Sequence, residues 1–209
     1  MTTPPLPTDA DWQSPAIVLA SASPVRRRLL EAAGLDIRIM PAAIDEQTVR
    51  QESPDLSYPE LARRLAVAKA RDVSPRCRSA CVIGADQVLF SGDHLFIKPA
   101  TIEAACADLK ALRGRWHTLA SAAAVAIDGE IVWAEVDTAG LKMRKFSDSF
   151  LESYIARAGA DIRTSVGGYQ LEGVGIHLFE RFEGDYFTVL GLPLLPLLTF
   201  LRSRGCLAS

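Results

Sequence analysis

The chain has 209 residues, of which 49% are hydrophobic and 23% are charged, and its net charge is −2. This length allows one domain with a sizeable core, and the composition is typical of a globular protein. The near-neutral charge excludes a global basic field that would attract nucleic acid or an anionic membrane, so we expect neither partner. The four cysteines form no C-x-x-C pair. This argues against a zinc cage and favours reduced thiols in a cytoplasmic protein.

The first fifteen residues contain four prolines and no basic stretch. This composition argues against a signal peptide and predicts a disordered leader over residues 1–15. We expect residues 16–209 to form a single domain.

A short apolar strand at residues 16–20 leads into a helix that ends before Gly34. Ser23 is a good N-cap, and Pro24 suits the first helical position. The three arginines at residues 26–28 lie in the first turn, where the helix dipole disfavours basic side chains. A bound anion would remove this conflict, because free N–H groups and an arginine together form a phosphate site. The alternative is three solvated arginines on a surface helix.

An extended segment at residues 36–40 precedes the carboxylate pair Asp45-Glu46. These two residues either lie in a solvated loop or provide a metal ligand or a group that orients water. The next predicted helix, at residues 57–72, begins with the spacing of a capping box. Lys69 lies close to the apolar face of this helix, where it either extends to solvent or projects into a cleft.

A β-rich run at residues 80–90 is interrupted by Asp86 and Gln87. A carboxylate in such an apolar segment has to be paired, hydrogen-bonded or metal-bound, because burial of a bare charge is costly. Asp86 is therefore a candidate functional residue. Residues 94–97 are predicted to return as a hairpin strand. The proline after Lys98 favours an extended backbone at Lys98, which would hold its amine in a fixed place.

The second half of the chain alternates helical and hairpin patterns. We expect helices at residues 101–113, 147–158 and 192–202, hairpins at 118–138 and 176–190, and a short strand at 141–145. The glycine-dense segment at residues 166–175 has neither dinucleotide-binding nor P-loop spacing. Strands and helices that alternate, with hairpins inserted, predict an α/β fold with a mixed sheet.

Several motifs, taken in this order and spacing, resemble the Maf family of nucleoside triphosphate pyrophosphatases, relatives of the inosine triphosphate pyrophosphatases. The resemblance extends from Val18 to Arg204. The motifs are Leu-Ala-Ser21-Ala-Ser23-Pro-Val-Arg26, Asp45-Glu46, Leu-Ala-x-x-Lys69-Ala, Gly84-Ala-Asp86-Gln87-Val, Lys98-Pro99 and Val-Leu-Gly191-Leu-Pro193-Leu. The resemblance implies an elongated mixed sheet with flanking helices and two lobes around a cleft. It also implies a homodimer and a divalent metal ion, Mg²⁺ or Mn²⁺.

The implied reaction converts a nucleoside triphosphate to the monophosphate and pyrophosphate. Carried over residue by residue, the resemblance makes Asp86 the catalytic base, Lys69 and Lys98 catalytic cations, Ser21, Ser23 and Arg26 phosphate-binding residues, and Glu46 and Asp86 metal ligands. The residue types suit this chemistry, because phosphoryl transfer needs cations to spread the developing charge and a carboxylate or metal-bound hydroxide to activate water.

The resemblance also implies that base specificity depends on Val25, Gln87 and Glu172. Gln87 and Glu172 are typical of the branch associated with 7-methyl-GTP, whereas the dTTP and UTP branch has Thr and Gln there. A carboxylate at residue 172 can accept both N–H groups of the guanine edge. At Val25 the first branch usually has Trp and the second Arg, so this position departs from both. Tyr169 and Trp116 are the aromatic candidates for stacking on the base.

Three alternatives stay open beside a 7-methyl-GTP pyrophosphatase. The first is a dTTP and UTP pyrophosphatase of the same family. The second is a nucleotide-binding regulator of septum formation without enzymatic activity. The third is a general phosphatase that releases orthophosphate. The combination of Lys69, Asp86 and Lys98 favours an enzyme, because a pure binding module needs no base.

Overall fold

The computed structural model describes residues 15–208, so the predicted leader lies outside the described residues apart from Pro15. The strands of this part are β1 (Ile17–Leu19), β2 (Ile37–Ile39), β3 (Cys81–Ser91), β4 (His94–Phe96), β5 (Trp116–Ile127), β6 (Glu130–Met143) and β7 (Phe179–Glu183). The helices are α1 (Pro24–Ala32), α2 (Glu46–Gln51), α3 (Tyr58–Val73), α4 (Ile102–Leu112), α5 (Asp148–Ala158), α6 (Tyr186–Val189) and α7 (Leu194–Ser203). Short 3-10 turns at Ser74–Arg76, Gly159–Arg163, Val166–Gly168 and Val174–Leu178 complete the chain.

The seven strands form one mixed sheet in the order β2-β1-β3-β5-β6-β7, with β4 also paired to β3. β1 is parallel to β2 and β3, and the other pairings are antiparallel. The predicted α/β class with a mixed sheet is therefore confirmed. Between residues 15 and 208, no helix combines the length and apolar character needed to cross a lipid bilayer.

Two of the predicted helix starts are confirmed by side-chain caps. Ser23 accepts a hydrogen bond from the Arg26 amide at the start of α1, and Pro24 occupies the first turn. Ser57 and Glu60 form the complete capping box of α3. These caps satisfy backbone donors that a helix start otherwise leaves unpaired.

Three predicted strand boundaries were wrong. β3 is not interrupted at Asp86 and Gln87 but continues without a break to Ser91, because β5 pairs with it along Val82 to Phe90. The predicted short strand at residues 141–145 is the end of β6, which β7 lengthens by pairing with residues 140–143. The predicted hairpin at 176–190 is β7 followed by helix α6, whose start is capped by the Asp185 side chain.

Helices cover both faces of the sheet. α3 packs on one face against a row of small side chains, including Ala120, Ala122 and Ala124 of β5. On the other face, α1 and α7 cover one half, with Leu30 and Leu197 in the core. α4 and α5 cover the remaining half. The sheet is therefore buried on both sides near its centre, where the site lies.

The sheet has a gap along one edge of β3. The pairing of β1 with β3 ends at Ile83, and the pairing of β4 with β3 begins at Leu89. Within the described part of the chain, residues 84–88 therefore have no strand partner on this edge. Successive strand residues point to opposite faces, so Asp86 faces α3 while Gln87 faces α6.

Candidate active site

A cleft of about 730 Å³ opens at the gap in the sheet. The ten residues to which the family resemblance assigned a catalytic, phosphate-binding, metal-binding or base-specificity role all line it: Ser21, Ser23, Val25, Arg26, Glu46, Lys69, Asp86, Gln87, Lys98 and Glu172. These side chains come from separate segments of the chain, and the fold brings all of them into one cavity.

Lys69 lies between two carboxylates in this cleft. Its Nζ is 2.6 Å from Asp86 Oδ1 and 2.6 Å from Glu46 Oε1. The side chains of Lys69 and Asp86 are only 12% and 7% exposed. Of the two alternatives for Lys69, projection into a cleft is therefore the correct one.

Gly84 allows α3 to approach β3 closely enough for this contact. A Cβ at Gly84 would overlap the Ala66 carbonyl oxygen and lie 2.5 Å from the Ala70 nitrogen. Lys69 precedes Ala70 in α3, and Asp86 follows Gly84 by two residues in β3. The absence of a side chain at Gly84 therefore allows the short distance between Lys69 and the Asp86 carboxylate.

Asp86 has the environment of a base. Burial raises the pKa of its carboxyl group above the ordinary value, although the positive charges of Lys69 and Arg26 act in the opposite direction. Its Oδ1 accepts a hydrogen bond from Lys69. Its Oδ2 has no hydrogen-bond partner within residues 15–208. One carboxylate oxygen is therefore fixed by a cation, while the other can accept a proton.

The Asp45-Glu46 pair divides into a structural and a cleft-facing residue. Asp45 caps α2 and accepts hydrogen bonds from the Gln47 amide at 2.9 Å and the Thr48 amide at 3.3 Å. Glu46 instead contacts Lys69, and its Oε2 accepts a hydrogen bond from Arg50 Nη2 at 2.8 Å. Burial alone would raise the pKa of Glu46, but Lys69 and Arg50 lower it below its ordinary value.

The Arg26 side chain is buried near the start of α1. Its Nε donates to the Gly191 carbonyl at 2.8 Å, and its Nη1 donates to the Ala85 carbonyl at 2.9 Å and to Ser21 Oγ at 3.2 Å. Burial lowers the pKa of the guanidinium, while the charges of Asp86 and Glu46 oppose that effect. These acceptors account for a buried arginine in the first turn without a bound anion. Its Nη2 has no hydrogen-bond partner in the described part of the chain.

The other two arginines of α1 lie at the surface. Arg27 pairs with Glu31 at 2.7 Å, one turn further along the helix. Arg28 lies at the rim of the cleft, where its Nη2 is 3.5 Å from Glu172 Oε1. Val25, on the same helix, is half-buried and also lines the cleft.

Gln87 is largely engaged by protein groups. Its Nε2 lies 2.9 Å from Ser121 Oγ, 3.0 Å from the Val189 carbonyl and 3.2 Å from the Thr188 carbonyl. These contacts connect β3 to the end of α6 and so support the segment that carries Gly191. Lys98 is exposed at the cleft, with no ion pair to another described residue.

The two aromatic candidates differ in position. Tyr169 lines the cleft and is buried, with its hydroxyl 2.8 Å from His117 Nε2. Trp116 does not line the cleft and lies beside Gly140. Of the two, only Tyr169 could contact a bound nucleotide in this cavity.

Arg50 and Gly191 also line the cleft, although the sequence did not predict them as site residues. The signal for Arg50 was its position four residues after Glu46, a spacing that brings two helical side chains together. Gly191 lies in a family motif, its carbonyl accepts a hydrogen bond from Arg26, and its φ of +97° is one that favours glycine. No sequence pattern indicated the network of Gln87, Ser121 and Thr188.

The donor set fits a divalent cation of the Mg²⁺ or Mn²⁺ type. Glu46 and Asp86 supply two carboxylates that meet at one point of the cleft. No group of three or more His, Cys, Asp or Glu side chains suited to a metal occurs within residues 15–208. Magnesium sites commonly use one or two carboxylates and complete their coordination with substrate phosphates and water.

The family described as Maf-like protein matches residues 16–204 of this sequence. The chain belongs to the Maf family. This Maf protein is 50% identical over 200 residues to a nucleoside triphosphate pyrophosphatase of Nitrobacter winogradskyi, a match that covers 95% of this chain and 99% of that protein. It is 47% identical over 195 residues to a 7-methyl-GTP pyrophosphatase of Rhizobium meliloti, with 92% of this chain and 98% of that protein covered.

A HAM1 protein from Coxiella burnetii has a similar structure, with a TM-score of 0.50 at 17% sequence identity. The superposition covers 90% of this chain and 98% of the HAM1 protein. This similarity concerns the fold alone.

Proposed function

We propose that this Maf protein hydrolyses nucleoside triphosphates to nucleoside monophosphates and pyrophosphate. The observation that carries the proposal is the buried Asp86, which has a raised pKa and lies beside Lys69 and Arg26 in the cleft. The names of the Nitrobacter and Rhizobium relatives support the same reaction.

In the proposed reaction, Asp86 accepts a proton from a water molecule as the water oxygen attacks the α-phosphorus. The bond from the α-phosphorus to the oxygen bridging it to the β-phosphorus breaks, and pyrophosphate leaves with the electron pair. A carboxyl group with a raised pKa suits this role, because a general base works best when its pKa lies near the working pH. In the nucleotide-free protein, Lys69 holds this carboxylate through its bond to Oδ1.

The cations around the cleft would neutralise the triphosphate. We assign this role to Arg26, through its free Nη2, and to Lys69 and Lys98, with Ser21 and Ser23 as hydrogen-bonding groups at the start of α1. A Mg²⁺ or Mn²⁺ ion held by Glu46 and Asp86 would supply further charge neutralisation when bound.

The products of hydrolysis test the proposal. Wild-type protein with Mg²⁺ or Mn²⁺ is incubated with a panel of nucleoside triphosphates that includes 7-methyl-GTP, and the products are separated and quantified. We expect equal amounts of monophosphate and pyrophosphate. Release of orthophosphate would indicate a general phosphatase instead. No hydrolysis of any nucleotide would contradict the proposal and favour a binding protein such as a regulator of septum formation.

We further propose a preference for modified purine nucleotides such as 7-methyl-GTP. Glu172 lines the cleft, where its two carboxyl oxygens could accept two guanine N–H groups. The Rhizobium relative is named as a 7-methyl-GTP pyrophosphatase. Val25 cannot stack on a base as an aromatic residue would, so dTTP and UTP remain the alternative substrates.

Substitution of Glu172 tests base reading separately from the reaction. Glu172→Gln is expected to lower kcat/KM for 7-methyl-GTP by about tenfold, because one accepted hydrogen bond to a charged group is lost. The value for UTP should stay within about threefold, because its imide edge also pairs with an amide. Equal losses on all nucleotides would contradict a base-reading role.

Four further features belong to this proposal. We propose that residues 16–209 form one domain with two lobes, that two copies form a homodimer, that the enzyme works in the cytoplasm, and that nucleic acid and membranes are not its partners. Their support is the family resemblance for the lobes and the dimer, and the composition for the other two.

A further inference from the structure

A single ammonium group serves both carboxylates of the cleft. Lys69 Nζ is 2.6 Å from Glu46 Oε1 and 2.6 Å from Asp86 Oδ1. An ammonium has three N–H donors, so two of them are used by these two side chains. The position between Glu46 and Asp86 is therefore filled by a cation that belongs to the protein.

The lysine is held at this position by its surroundings. Its side chain is 12% exposed and that of Asp86 is 7% exposed, so water screens their attraction only weakly. The close approach of α3 and β3 at Gly84 also fixes the distance between the two backbones. A second cation that came between the same two carboxylates would have to displace the ammonium or lie next to its charge.

Arg50 gives an internal comparison. Its Nη2 is 2.8 Å from Glu46 Oε2, and it makes no ion pair with Asp86 among the described residues. Lys69 and Arg50 therefore each carry one positive charge against Glu46. Only Lys69 also contacts the second carboxylate.

We propose that Lys69 occupies the metal position between Glu46 and Asp86 in the nucleotide-free protein, so that a divalent cation binds well only together with a triphosphate. The triphosphate offers Lys69 other anionic oxygens, which frees the two carboxylates. Lys69 thus couples metal binding to nucleotide binding, as two sites are coupled when each ligand favours the same state. The inference rests on the proposed function for the choice of Glu46 and Asp86 as ligands.

The test measures Mn²⁺ binding in the absence of nucleotide, by electron paramagnetic resonance of the free ion, for wild type, Lys69→Met and Arg50→Met. We expect Lys69→Met to bind Mn²⁺ at least about tenfold more tightly than wild type, because both carboxylates become free. Arg50→Met should tighten binding by no more than about fivefold, the effect of losing one partly exposed charge. Circular dichroism and urea unfolding verify that each variant is folded.

Equal tightening in the two variants would overturn the inference, because it would indicate a general charge effect. No tightening in Lys69→Met would overturn it as well. Lys69→Gln, which keeps an N–H donor for Asp86, replaces Lys69→Met if the latter fails to fold. Wild-type protein that binds Mn²⁺ alone in the micromolar range would overturn the inference whatever the variants do, and millimolar binding supports it.

These outcomes are separate from those for the proposed function. Because no nucleotide is present, a negative result in the Mn²⁺ experiment leaves the release of pyrophosphate by wild type untouched. Absence of pyrophosphate release, in contrast, would remove the proposed function whatever the metal affinity of Lys69→Met.

Discussion

Burial shifts the pKa of several titratable side chains in and near the cleft. It raises the pKa of Asp86 and of Tyr169, and it lowers the pKa of His117 to about 4. His117 is 2% exposed, and its Nδ1 has no hydrogen-bond partner among the described residues. The imidazole is therefore neutral at pH 7, and its Nε2 contacts the hydroxyl of Tyr169, a residue that lines the cleft.

This histidine should make the stability of the protein depend on pH. Its folded pKa of about 4 lies below the ordinary value of 6.5, so the unfolded chain binds a proton first as the pH falls. Its contribution to stability is thus present above pH 6.5 and is lost between there and pH 4. The loss amounts to roughly 3 kcal/mol in the free energy of unfolding.

Urea unfolding of wild type and His117→Gln from pH 7 to pH 4 measures this effect. The variant keeps a polar group near Tyr169 but cannot titrate, so the stability advantage of wild type should shrink by roughly 3 kcal/mol as the pH falls. A constant difference between the two proteins across this range would show that His117 is not buried in its neutral form.

At the scale of elements, the contact of α3 with β3 determines the site. Helix α3 brings Lys69, β3 brings Asp86, and Gly84 lets the two backbones meet. The gap between β1 and β4 lies at residues 84–88 of β3, where Asp86 and Gln87 line the cleft. A single strand can then present Asp86 to one face and Gln87 to the other.

A methyl group at residue 84 should separate these two elements. Gly84→Ala is expected to lower the free energy of unfolding by about 3 kcal/mol, because the new Cβ meets backbone atoms of Ala66 and Ala70 that cannot move independently. Activity should fall more than stability explains, since Lys69 moves away from Asp86.

Gly140→Ala is the matched control for urea unfolding and pyrophosphate release. A Cβ at Gly140 would lie 3.5 Å from the Trp116 ring, an ordinary contact, so this variant should stay within about 1 kcal/mol of wild type. If Gly84→Ala were as stable and active as Gly140→Ala, the close approach of α3 to β3 would not be what positions the site.

The sequence predicted where helices begin, but it did not predict the strand features that depend on tertiary contacts. Caps at Ser23 and Ser57 marked helix starts correctly, because capping depends on neighbours in the chain. The extension of β6 to Met143 and the continuation of β3 through Asp86 depend on pairing with distant strands. Periodicity within a short window does not contain that information.

At the level of the whole molecule, the fold brings ten residues from separate segments of the chain into one cleft. Their membership of the cleft was predictable because the family motifs mark them. Their contacts were not predictable. The sequence did not indicate that Arg26 would donate hydrogen bonds to the Gly191 and Ala85 carbonyls, or that Gln87 would donate one to Ser121. Such contacts arise where segments distant in sequence are packed together, and no local pattern encodes them.

We expect Asp86 to remove a proton from water during release of pyrophosphate from a nucleoside triphosphate. The most direct measurement is the rate of pyrophosphate release by Asp86→Asn at saturating nucleotide, beside wild type and Asp45→Asn. Asparagine is an equally good helix cap, so Asp45→Asn should keep wild-type activity within about threefold. Asp86→Asn should be slower by at least about 100-fold, because the amide cannot accept the proton from water. Release of pyrophosphate by Asp86→Asn at the wild-type rate would show that Asp86 is not the base.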